Sequence, residues 1–176
     1  MENTIENTAT LVNRVASSGL TTINLEDFFP QEELKIFDLK DYLFMELILK
    51  EKDFREALRA HDWTQYEGKN LAVFCSVDAI IPVWAFMLVA TYAEPFAAAI
   101  FQGSPEVFYQ VAFQKALSGF DAAAYEGKKI VVKGCSQKPV PPSAYVELTR
   151  LLRPVAQSIM YGEPCSTVPI YKRKLG

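Results

Sequence analysis

Each of the three cysteines is followed by a serine, giving Cys75-Ser76, Cys135-Ser136 and Cys165-Ser166. Thiolates are soft ligands that favour zinc, copper(I) or iron–sulfur clusters over magnesium or calcium. Beside a helix N-terminus a thiol also ionises more readily and becomes a nucleophile. Two carboxylates join the set: Asp78 follows the first Cys-Ser pair, and Glu106 occupies the position that Cys165 takes in a repeat set out below. Cys75, Cys135, Cys165, Glu106 and Asp78 are therefore the candidate metal ligands, with zinc or an iron–sulfur cluster as the cofactor. The sole histidine, His61, is available to complete four-coordination. Its counterpart in the repeat is Phe120, which favours a packing role for that ring. The competing account of the cysteines is burial, because free cysteine often behaves as a small hydrophobe.

The elements that would carry these residues are read from periodicity and turn chemistry. Thr8–Ser17 reads as a short helix stopped by Gly19. Thr21–Leu25 and Leu34–Leu39 read as strands joined by the Asp27–Pro30 turn, hence a hairpin. Asp41–His61 reads as one long amphipathic helix or two abutting ones, with Leu43, Leu47, Phe54 and Leu58 on one face.

Beyond this point the chain repeats itself. Residues 54–69, FREALRAHDWTQYEGK, match residues 113–128, FQKALSGFDAAAYEGK, at eight of sixteen positions, 59 residues apart. Chance gives about one such match. Cys75 and Pro82 recur as Cys135 and Pro142, and Pro95, Gly103 and Pro105 recur as Pro154, Gly162 and Pro164. Each copy reads as a helix, a YEGK turn, a near-continuous apolar strand, a Cys-Ser loop, a proline-started helix and a second apolar strand ended by Gly-x-Pro. This predicts an α/β fold in a single domain over 1–176. Its sheet is mostly parallel with helices on both faces, built from a duplicated α-β-α-β unit at 54–103 and 113–162. The copies are expected to superpose and to share one sheet, and separate sheets would count against the duplication. Thr167–Lys172 reads as an edge strand, because Pro169 has no N–H for a ladder. All three cysteines then leave the carboxyl edge of the sheet, where open α/β folds bind ligands.

Composition narrows the function classes. Half of the residues are apolar, 22% are charged, and the net charge is −3. An acidic pI of about 5.3 argues against nucleic acid or an anionic membrane as partner. The most apolar uncharged stretch, Ala79–Ala93, has 15 residues. It reaches roughly 22 Å as a helix, short of the ~30 Å hydrocarbon core. The polar N-terminus shows no secretory h-region, and an odd cysteine count fits no secreted disulfide framework, so a cytoplasmic location is expected. Dinucleotide, P-loop, serine-esterase and zinc-protease signatures are absent. The tail Tyr171-Lys172-Arg173-Lys174 is basic and reads as a solvated terminus.

Three long stretches carry a family likeness: VNRVASSGLTTINLEDFFP (Val12–Pro30), KDYLFMELILKEKDFREALRAHDW (Lys40–Trp63) and KPVPPSAYVELTRLLRPVAQSIMYGEPCSTVPIYKR (Lys138–Arg173). Over nearly its whole length the chain resembles an uncharacterised bacterial family, domain of unknown function 2480. The resemblance brings no established activity. It does imply a neighbourhood, in which genes of this family often lie near iron–sulfur assembly genes, and iron–sulfur assembly proteins are the partners it points to. The leading expectation is thus a cytoplasmic accessory protein with a three-cysteine thiol or metal site. A non-catalytic interaction or small-molecule binding domain with structural cysteines is the second, and a thiol enzyme the third.

Overall fold

Strands distant in the chain lie side by side, and they build two sheets. The computed structural model describes residues 19–134 and 137–174, so the Thr8–Ser17 helix and Cys135 lie outside the described residues. The chain divides into unit 1, from the described parts of Met1–Asp27, Phe120–Lys138 and Tyr145–Gly176, and unit 2, from Phe28–Gly119 and Pro139–Ala144.

Unit 2 holds three parallel strands, β2 (Leu34–Asp38), β3 (Asn70–Phe74) and β4 (Ala99–Gln102), in the order β2-β3-β4. Its helices are α1 (Glu51–Ala60), α2 (Val83–Ala93) and α3 (Pro105–Ser118). The central strand β3 buries Leu71, Ala72 and Val73 in succession, as a parallel strand covered on both faces must. Phe54 and Leu58, one helical turn apart on α1, complete that core with Phe37, Leu39 and Val89.

Unit 1 holds β1 (Leu20–Asn24), β5 (Lys129–Lys133) and β6 (Ser158–Glu163) in parallel, with β7 (Ser166–Lys172) antiparallel at the edge. Helix α4 spans Pro142–Leu152, and its part from Tyr145 onward belongs to this unit. Ile23, Leu25, Ile130, Val132, Leu148 and Ile159 are buried here. Pro169 sits on β7 as foreseen, and the ladder slips a residue between the Ile159 and Met160 pairs.

The chain is α/β, as expected, with mostly parallel sheets. Three expectations are corrected. The hairpin over Thr21–Leu25 and Leu34–Leu39 does not form, because β1 pairs with β5 and β2 with β3, in different sheets. The long helix over Asp41–His61 is only α1. Upstream of it the chain folds back in a tight turn, with a bridge from Phe44 to Ile48 and positive φ at Met45 (53°) and Glu46 (58°), which leaves Leu47 exposed. The two copies, 54–103 and 113–162, do not share one sheet, the outcome set against the duplication. The cause is the pair of strands upstream: β2 completes the first copy's sheet and β1 the second's, so neither copy needs the other's strands to pair.

What recurs is local. Both copies run helix, 3₁₀ turn, strand, helix, strand. Asn70 pairs with Ala99 and Lys129 with Ser158, the same register 59 residues on. Asp62 caps its turn by accepting from Thr64 N at 3.0 Å, and Asp121 does so from Ala123 N at 3.1 Å. Gly68 and Gly127 take φ of 68° and 67°, a conformation that favours glycine, and donate to Phe96 O and Val155 O, both at 3.0 Å.

Candidate functional site

A parallel sheet sends its loops out at the carboxyl ends of the strands, and in both units these loops are tied down by one device. In unit 2 the Asp38 carboxylate, at the end of β2, accepts from Lys40 N and from Ser76 N, both at 3.0 Å. Burial works against its charge, but the hydrogen bonds from Ser76 and Lys40 outweigh it and hold the carboxyl below its ordinary value. In unit 1 Asn24 accepts from Glu26 N at 3.1 Å, and the buried Glu26 accepts from Gln137 N at 2.9 Å. Ser76 in unit 2 and Gln137 in unit 1 are each thereby tied to the chain at the end of the neighbouring strand.

The predicted ligands fall as follows. Cys75 follows β3, is half-buried and packs against the unit 2 core. Cys165 is exposed in the two-residue turn between β6 and β7, in unit 1. Glu106 lies in the first turn of α3, exposed, where a hydrogen bond from Ser104 holds its carboxyl below the usual value. Asp78 is exposed in the loop after Cys75. Among the described residues, no three His, Cys, Asp or Glu side chains gather in a group that could hold a metal.

That same loop lines a groove of about 620 Å³ at the carboxyl edge of unit 2. Leu47, Ile48, Ala79, Ile80 and Pro82 form an apolar lining, with Asp78 as its one charge. Ile80 is 91% exposed and Leu47 64%, values that a side chain with no partner of its own would show. The sequence hid this groove, because Leu47 belongs to a residue set that reads as the buried face of a helix.

Unit 2 also holds an aromatic cluster around Trp63. Trp63 is buried between Phe37 and Tyr92, at ring separations of 5.5 and 5.6 Å, and its indole N–H donates to Leu58 O at 2.8 Å. His61 Nε2 bonds Tyr66 Oη at 3.0 Å and Nδ1 faces Tyr42 Oη at 3.4 Å. Both ring nitrogens are thus engaged, and metal ligation would break one of these bonds. Tyr42 also stacks on Phe37 at 5.0 Å, which anchors the segment leading into the Phe44–Ile48 turn. In the second copy Phe120 stacks on Tyr125 as His61 stacks on Tyr66, so the position is used for its ring. Burial pushes the Tyr66 hydroxyl up to about 12.

Burial also lowers the His61 pKa from 6.5, against a smaller opposing pull from Asp62. The folded chain therefore binds this proton less readily than the unfolded chain does. The neutral imidazole's stabilisation is whole above about pH 6.5 and is lost as pH falls below it. His61→Phe should fold and remove this part of the acid-side loss. Thermal midpoints measured from pH 7.5 to 5 check it, and an unchanged profile would refute the assignment.

Parallel strands joined through helices, with loops gathered at the carboxyl edges, define an α/β protein of the open-sheet kind. The chain belongs to the family described as a protein of unknown function, DUF2480, whose sequence profile matches residues 9–173. Comparison with curated proteins and with solved structures returns no match. Among the described residues no helix is long and apolar enough to cross a membrane.

Proposed function

We propose that the protein is a cytoplasmic, non-catalytic binding domain whose ligand site is the carboxyl-edge groove of unit 2. The observation that carries this is the groove's make-up: a concave apolar lining with a single carboxylate, at the edge where parallel sheets receive ligands. On this reading Cys75 is a packed side chain against the unit 2 core. The ligand chemistry that fits is an apolar group bearing a cation or a hydrogen-bond donor for Asp78. The neutral fluorophore N-phenyl-1-naphthylamine is a direct probe. It should bind the full chain at one saturable site, and Ala79→Trp, which fills the groove, should abolish the signal. Absence of saturable binding, or binding untouched by Ala79→Trp, would defeat the proposal.

A second reading is favoured by one feature, the exposed thiol of Cys165 at a turn tip. On that reading the chain is an accessory in iron–sulfur or sulfur handling, with iron–sulfur assembly proteins as partners and its thiols binding zinc or a cluster. Metal analysis of protein purified without air and without a histidine tag tests it. Stoichiometric metal that is lost on Cys165→Ser would support it, and metal-free protein with no thiol affinity for zinc would end it.

A further inference from the structure

The basic tail that reads as a solvated terminus is pinned into a surface. Arg173 donates to Pro154 O at 2.6 Å and Val155 O at 3.0 Å through its guanidinium, and to Gln157 O at 2.8 Å through its backbone N–H. Gly127 N and Gln157 N knit the 126–129 turn to the same loop, through Val155 O at 3.0 Å and Lys128 O at 2.8 Å. Three chain segments therefore meet at the amino edge of the unit 1 sheet. They bring together Lys128, Lys129, Arg153, Lys172 and Lys174, all exposed. Lys129, Ser158 and Lys172 lie in one row across β5, β6 and β7. At ~4.8 Å per strand step, the two lysines stand roughly 9–10 Å apart. Among the described residues of these three segments, Glu126 is the one acid, and it pairs with Arg173 at 3.4 Å.

The other unit is an internal control. The same turn and loop recur there with the same hydrogen bonds, Gly68 N to Phe96 O at 3.0 Å and Ala98 N to Lys69 O at 2.8 Å. Yet the positions of Lys129 and Arg153 are held by Asn70 and Glu94, and Lys69 is paired with Glu33 at 3.7 Å. The backbone does not require the cations. Among described residues, unit 1 carries nine Lys or Arg against six Asp or Glu, and unit 2 carries eight against thirteen.

We propose that the amino edge of the unit 1 sheet is a docking surface for an acidic segment of a partner protein. A short acidic segment fits better than a nucleic acid for one reason. The aromatic rings present, Tyr125 and Tyr171, each already carry a cation, with Lys128 at 5.2 Å and Arg153 at 5.1 Å, instead of standing open to stack bases.

The test uses the full chain and a fluorescein-labelled twelve-residue peptide of alternating glutamate and serine, followed by anisotropy at low and physiological salt. Wild type should bind saturably and weaken as salt rises. The double variant Lys129→Glu with Lys172→Glu should weaken binding by about tenfold or more. Lys129→Arg with Lys172→Arg should retain it, which separates loss of charge from loss of fold. The unit 2 control Lys52→Glu with Lys115→Glu should bind as wild type does. No binding by wild type, or equal loss in the control, would overturn the proposal. Tighter binding of a twelve-residue oligothymidine or of phosphatidylserine vesicles would overturn it too, in favour of those ligands. Salt-sensitive self-association abolished by the double charge reversal would assign the surface to a second copy instead.

Discussion

Trp63→Ala is expected to destabilise the protein by about 3–5 kcal/mol, read as a drop in the urea midpoint. The indole is 6% exposed and lies between two other rings, so its removal leaves a cavity that the β-sheet cannot collapse to fill. It also leaves Leu58 O without the indole N–H donor that it accepts from. Trp63→Phe separates the two losses. A ring remains but the donor does not, and about 1–2 kcal/mol should be lost. Equal losses for the two variants would mean that the hydrogen bond, and not the packing, carries the effect. The consequence reaches the groove, because Phe37 and Tyr42 stack in the same array and hold the segment that supplies Leu47 and Ile48.

Gly162→Ala should be nearly as damaging, costing at least about 2 kcal/mol. Gly162 has φ of 121°, and a Cβ there would meet Ser166 O at 2.6 Å. That oxygen is backbone of the paired strand β7 and cannot swing aside. Gly127→Ala is the comparison. Its φ of 67° strains a side chain, but nothing lies within 4 Å of the new atom, so roughly 1 kcal/mol is expected. Thermal melts of the two variants rank them, and equal midpoints would show that the Gly162 contact is relieved by movement of the hairpin.

The elements that were legible in the sequence are those whose physics is local. The β3 and β5 strands announce themselves as short apolar runs after a YEGK turn. Pro82 and Pro142 mark the starts of α2 and α4, and Pro169 marks an edge. Pairing was not legible in the same way. Thr21–Leu25 and Leu34–Leu39 look like a hairpin because adjacent strands with a turn between them usually pair. Nothing in either strand's own residues tells that each prefers a different distant partner. The Phe44–Ile48 turn was hidden for a related reason, since Leu43, Leu47, Phe54 and Leu58 keep helical spacing through a stretch where Met45 and Glu46 turn left-handed. As for the site, the carboxyl-edge argument led to the Cys75 loop and to Asp78, which does line the groove. It favoured the thiol because cysteine is chemically conspicuous, while Ile80 and Leu47 are conspicuous only once their exposure is seen.

The parting of β1 and β2 has a consequence for the order in which the protein is made. All three strands of the unit 2 sheet leave the ribosome by Gln102, so that sheet can close early. Leu20 pairs with Lys129, so β1 must wait for a partner more than a hundred residues behind it. At about 5–20 residues per second, that is a delay of several seconds at least. From the closing of that sheet until β5 emerges, a β-branched strand with open hydrogen-bonding edges is still without its partner. Nascent chains paused between residues 110 and 130 would then be the stage most in need of a chaperone, and refolding from denaturant, where β5 is present from the start, would escape that interval.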